Sequence, residues 1–129
     1  MQIRNRILAF AAAAGVSASY LCLGAPASSQ VERGQAAFAS NCASCHGAAL
    51  GGGFGPPLKG AQFLGEWDGK TARNLYSRIL TTMPASDPGS LPSKTVLALT
   101  VYLLSENGVS VGSKAPASPD QLNAIVIKH

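Results

Sequence analysis

Charge is scarce in this sequence: Asp, Glu, Lys and Arg make up 12 % of its 129 residues. The basic residues Lys59, Lys70, Arg73, Arg78, Lys94 and Lys114 are scattered rather than clustered, which leaves nucleic-acid binding without an electrostatic footprint. Histidine and cysteine are also rare, with two of the first and three of the second. A structural zinc site needs four such ligands, so little of that chemistry is available. Aromatics amount to 6 %, with one Trp. No repeat and no βαβ pattern is present, which removes the usual setting of a thioredoxin-type dithiol. What the chain does have is apolar residues, 47 % of the total, enough to exclude a disordered polyelectrolyte.

Part of that apolar content sits at the start. Residues 1–27 place Arg4 and Arg6 ahead of an apolar run from Ile7 to Leu23 and close on Ala25-Pro26-Ala27. This is the pattern of a secretory signal peptide with an A-x-A-like cleavage site. Cleavage is expected after Ala27 or within the next three residues. The rival is an uncleaved anchor, but a run of about 17 residues, interrupted by Ser17 and Ser19, is marginal for spanning a bilayer. Cys22 lies inside the leader, and the large Tyr20-Leu21 ahead of it argue against lipidation. Removing the leader takes away two of ten basic residues and none of six acids, so the net charge falls from +4 to +2. The mature chain keeps one cysteine pair, one methionine (Met83) and two histidines. Its expected location is the periplasm, with no stable membrane insertion.

The remainder reads as helices joined by Gly/Pro-rich loops. "VERGQAAFASNCASC" carries Val31, Gly34 and Phe38 at helical spacing, with Gly34 permitting close helix contact. "GAALGGGFGPPLKG" is too rich in Gly and Pro for a regular element. "KTARNLYSRIL" offers Thr71 as N-cap, with Leu75 and Ile79 on one face. "TTMPASDPGSLP" is a loop. "SKTVLALTVYLLSENG" is the strongest helix, with Val96, Leu99, Thr100 and Leu103 on one face and a stop at Gly108. Residues 112–129 form an extended tail whose Leu122, Ile125 and Ile127 should pack on a domain spanning 31–111. Three main helices make an all-α domain too small to bury much apolar area unaided.

The chemistry is concentrated in Cys42-Ala-Ser-Cys45-His46. Zinc lacks a fourth ligand other than the terminal His129. A redox dithiol would open a helix after a strand, whereas this pair ends a helix. The third reading is haem attachment. Cysteines at i and i+3 share a helical face, their sulfurs can bond the two vinyl groups on one haem edge, and the next histidine can bind iron. C-x-x-C-H is the signal for c-type haem, and a secretory leader matches the compartment where such haem is attached. One covalent haem c would also complete the small core. Met83 is the candidate sixth ligand, because it stands in a Pro-stiffened loop and not on an apolar helical face where filler methionines sit. His/Met ligation gives an electron-transfer centre. A lysine, His129 or an open site are the alternatives. A ligand histidine ties its second ring nitrogen to an acceptor, and the Pro56 carbonyl is the candidate.

CASCH, then GPPL, then TTMP ahead of an amphipathic helix resembles the small class I monohaem cytochromes c over essentially the whole mature chain. The resemblance implies the cytochrome c fold, with the first and last helices crossing at Gly34 and Phe38. It implies Cys42 and Cys45 as covalent haem attachments, His46 and Met83 as iron ligands, and Pro56 as the support of His46. "FLGEWDGKTARNLYSRILTTMP" through "SENG", with the terminal "LNAIVI", is similar to cytochromes that serve pyrroloquinoline-quinone alcohol dehydrogenases. That narrower likeness implies Trp67 and Tyr76 in the haem pocket. Pro92-Ser93-Lys94-Thr95 departs from it, since acidic residues commonly follow the cap there. The expected activity is electron transfer by a monomer rather than catalysis. Its partners would be a dehydrogenase donor and a terminal oxidase or another cytochrome as acceptor. The alternative is a haem enzyme or gas sensor with an open sixth position, for which only His129 is a spare histidine.

Overall fold

The computed structural model describes residues 26–129, so the body of the expected leader, with Cys22, lies outside the described residues. Five α-helices follow in order: α1 (Ala27–Asn41), α2 (Ala43–His46), α3 (Ala61–Trp67), α4 (Ala72–Thr82) and α5 (Ser93–Glu106). A 3-10 turn, Pro119–Ala124, completes the set. Helices supply all the regular structure of the described residues, and the only β pairings are two isolated bridges. This is the all-α architecture that the resemblance implies. Neither α2 nor α3 is legible as a separate element in the sequence, and α1 begins four residues before Val31 because Pro26 sits at its N-cap in extended conformation.

Helix α5 is the hub. Nine consecutive residues, Val96 to Leu104, are buried, which contrasts with the single apolar face read from its periodicity. A helix apolar all round belongs in the interior, and α5 is covered by α1 on one side and α4 on another. Its buried hydroxyl, Thr100, donates back to Val96 O at 2.8 Å, so it leaves no orphan donor. The α1–α5 crossing is close because Gly34 has no side chain. A Cβ there would lie 2.5 Å from Tyr102 Cβ and also run into the Ala98 carbonyl oxygen. Phe38 continues the crossing against Tyr102, with ring centroids 5.7 Å apart.

Helix α4 starts with a reciprocal cap: Asn74 N–H donates to Thr71 Oγ1, and Thr71 N–H donates to Asn74 Oδ1 at 3.0 Å. The tail binds the same place. Ala72 N–H donates to Ile125 O at 2.8 Å, Gly69 N–H to Ile127 O at 2.9 Å, and Ile127 N–H to Lys70 O at 2.9 Å. Leu122 and Ile127 are fully buried beneath it. The tail is therefore a strap over the α3–α4 junction, and it satisfies one of the four donors that a helix start leaves open. No helix of the described residues is long and apolar enough to cross a membrane.

Candidate functional site

Helix α1 ends at Asn41, and Cys42 turns the chain into the single turn of α2, accepting from Cys45 N at 3.1 Å and His46 N at 2.9 Å. Gly47 then reverses the path at φ +79°, where a Cβ would meet Gly52 O at 2.8 Å, so this turn requires glycine. The glycine-rich loop doubles back: Gly52 N–H donates to His46 O at 2.8 Å and Gly55 N–H to Cys45 O at 2.9 Å. That return brings the Pro56 carbonyl to 2.8 Å from His46 Nδ1. A carbonyl can only accept, so the proton resides on Nδ1 and Nε2 keeps its lone pair. A Cβ on Gly55 would lie 2.7 to 3.2 Å from the imidazole atoms. The backbone of Gly55 is thus one wall of the ring's slot, and His46 is 8 % exposed.

Cys42, Cys45, His46, Pro56, Trp67 and Met83 all line one cavity of about 480 Å³. Its remaining walls are chiefly apolar, with Phe38, Phe63, Leu75, Leu99 and Leu103 drawn from four helices. Met83 reaches it from the C-cap of α4, where its own N–H closes the helix on Ile79 O at 3.0 Å. Trp67, at the end of α3, is 9 % exposed and carries the Lys70 ammonium 5.0 Å from its ring centroid. Tyr76 is not brought to this cavity. It is buried on α4 with its hydroxyl 2.7 Å from Ser93 Oγ, because that position of α4 turns toward the start of α5 instead. His129 and the lysines, the alternatives to Met83, do not line the cavity either. The His129 backbone N–H donates to Asp68 Oδ1 at 2.9 Å.

Both cysteines are free thiols, and Cys45 is exposed. Burial, and secondarily the neighbouring Cys45, push the Cys42 thiol up to about 11. Redox-active dithiols carry a depressed thiol pKa, whereas burial moves Cys42 in the opposite direction. Among the described residues no three His, Cys, Asp or Glu side chains gather as a metal-binding group. The donor set instead fits haem. An apolar cavity within the usual cofactor range of roughly 300–1,000 Å³ holds a thiol pair, a histidine with a fixed tautomer and a methionine. Glu66 and Arg78 are the further charged residues lining it. Sequence reasoning missed these two, along with Gly55. The Gly-Pro-Pro triplet was the available signal for Gly55, whereas nothing local marks Glu66 or Arg78.

Fold and site together define a c-type cytochrome. The chain belongs to the family described as "Cytochrome C oxidase, cbb3-type, subunit III", whose model matches residues 29–103, more than half of its length. It is also similar to a solved structure described as the sulfane dehydrogenase SoxCD from Paracoccus pantotrophus, at 26 % identity and a TM-score of 0.58. That match covers 75 % of this chain and 52 % of the other, so the protein corresponds to about half of that chain. Comparison with curated proteins gives no match.

Proposed function

We propose that the protein is a periplasmic monohaem electron carrier, exported by a leader cleaved near Ala27, that takes electrons from a dehydrogenase and passes them to an oxidase or a second cytochrome. The observation that carries this reading is the 2.8 Å contact between His46 Nδ1 and the Pro56 carbonyl. It leaves Nε2 as the basic nitrogen of a histidine in the same apolar cavity as Met83. Bound there through Cys42 and Cys45, haem c would supply an iron centre that cycles between two oxidation states. The chain does the rest. His46 and Met83 would be the side chains that hold its iron, and the walls from α1, α3, α4 and α5 would surround it with mainly apolar side chains. The cysteines would hold the group at the edge where Cys45 and Phe54 are exposed.

An enzyme or gas sensor would need a free axial position with acid–base groups beside it. Beyond His46 and the cysteine pair, the titratable side chains lining the cavity are Glu66 and Arg78, and no second histidine lies there to serve. For the donor, the likeness of residues 63–108 to cytochromes of quinoprotein alcohol dehydrogenases favours such an enzyme. The similarity to a sulfane dehydrogenase structure makes a sulfur-compound dehydrogenase the second choice.

The deciding experiment expresses the full chain in a host that attaches haem c. One covalent haem per mature chain is expected, with a methionine–iron charge-transfer band in the oxidised spectrum. Met83→Ala should keep the haem but lose that band, lower the potential and bind carbon monoxide. An unchanged spectrum in that variant would exclude Met83 as ligand, and a wild type without covalent haem would remove the reading altogether.

A further inference from the structure

Pro56 and Pro57 have no N–H, so the segment that supports His46 cannot be fixed by its own amides. Its anchors lie on either side. Ahead of it, Gly55 N–H donates to Cys45 O at 2.9 Å; behind it, Leu58 N–H donates to Leu50 O at 2.8 Å. The third anchor comes from the far end of the chain. Asn107, half-buried at the C-cap of α5, donates from Nδ2 to Leu58 O at 3.0 Å and accepts at Oδ1 from Gly60 N–H at 3.0 Å. Its second Nδ2 proton goes to Leu103 O at 2.8 Å, and Leu103 lines the cavity.

We propose that Asn107 is a positioning residue for His46, fixing through Leu58 and Gly60 the segment whose Pro56 carbonyl receives the Nδ1 proton. A residue that merely closed α5 would need only the bond to Leu103. The two bonds that reach across 49 and 47 residues answer to the loop, not to the helix. The site demands an amide, because two donors and one acceptor are all engaged. Asp would keep the acceptor, lose both donors, and set a charge against two carbonyl oxygens. The nearby Lys59–Glu106 pair, at 2.7 Å with side chains 50 % and 31 % exposed, joins the same two segments without touching the Leu58 carbonyl or the Gly60 amide. Exposed pairs of that kind hold little, which makes it a matched control.

The inference rests on the haem reading, since the ligated imidazole is its reporter. In the reduced, haem-loaded protein, exchange of the His46 Nδ1 proton with deuterated solvent is followed by NMR, beside the midpoint potential. Loss of one good hydrogen bond's worth of restraint is about tenfold, so Asn107→Ala should speed this exchange about tenfold while the amides of α4 stay protected. Its potential should rise, because a weaker bond to Pro56 makes the imidazole a poorer donor to the iron. Lys59→Met should leave the exchange rate within twofold of wild type. If Asn107→Ala does not fold, Asn107→Asp, which retains the Gly60 bond, is read the same way. A His46 proton indifferent to residue 107 overturns the proposal. So does a variant in which every amide accelerates equally, which would be general destabilisation. Absence of covalent haem from wild type would instead refute the functional reading, so the two failures are distinguishable.

Discussion

Two glycine-to-alanine substitutions, chemically identical, should move stability in opposite directions. At Gly34 a methyl group would stand 2.5 Å from Tyr102 Cβ and closer still to the Ala98 carbonyl oxygen, whereas packed carbons rest about 3.5–4.0 Å apart. Helices α1 and α5 must therefore part by roughly 1 Å along their main crossing. Overpacking of this kind costs about 1–3 kcal/mol, and the upper end applies because the obstacle is backbone, which cannot swing aside. Alanine returns about 1 kcal/mol of helix propensity. The net loss is about 2 kcal/mol, or roughly 8–16 °C in Tm for a domain of this size. Gly65, within α3, has nothing within 4 Å of the added carbon, so Gly65→Ala keeps only the propensity gain of about 0.5–1 kcal/mol. Thermal unfolding of both haem-loaded variants, followed by far-ultraviolet circular dichroism, reads the difference. A Gly34→Ala protein that melts at or above wild type would refute the close crossing.

Cys42→Ser with Cys45→Ser should leave the chain largely unfolded, because the apolar walls of a cavity of about 480 Å³ would lose the covalently held group that covers them, and a small domain has only about 5–15 kcal/mol of stability to lose. A soluble variant that melts cooperatively without haem would contradict this. Leu122→Ala, at a fully buried tail position, should cost about 2–5 kcal/mol in urea unfolding, and a neutral result would detach the strap from the domain. Reduction by the true donor should slow only modestly from low to physiological salt, since Phe54, 99 % exposed, shares the cavity rim with one Glu and one Arg, and steering needs a charged field. A hundredfold drop in stopped-flow would expose a patch that the scattered charges conceal.

What the sequence made legible is what is local. Cys42, Cys45 and His46 are neighbours in the chain, and one helical turn carries them to one cavity without help from elsewhere. Thr71 is visible as a cap, although its partner Asn74 is not the Glu or Gln that marks a capping box in sequence. Helix α3 escaped notice because seven residues between Gly60 and Asp68, with Gly65 among them, show too little periodicity to outweigh their flanks. Periodicity also understated α5: Val96, Leu99 and Leu103 mark one face, but Leu97, Val101 and Leu104 are buried too. Which neighbours cover a helix is a tertiary fact, and so is the choice of Ser93 over the cavity as the partner of the Tyr76 hydroxyl. Gly55 and Asn107 belong with these. Each matters through a residue distant in sequence, and no local pattern announces such a pairing.

The scarcity of charge, on the proposed function, has one consequence for both halves of the protein's task. A centre held by neutral His46 and Met83 within walls of Phe38, Phe63, Leu75, Leu99 and Leu103 would have, beyond Glu66 with Arg78 opposing it, little to compensate the extra positive charge of its oxidised state. Apolar surroundings disfavour the more highly charged form, so they reinforce methionine ligation in favouring reduction. At the rim the apolar character continues outward through Phe54 and Ala85. Contact there dehydrates a surface with few ions to strip, which suits an encounter that must form and dissociate quickly. Removing the acid that lines the cavity and introducing one at its edge should therefore have separable effects. Glu66→Gln should raise the potential by withdrawing a charge that favours the oxidised centre, whereas Ala85→Glu should alter the salt dependence of the donor reaction with the potential nearly unmoved.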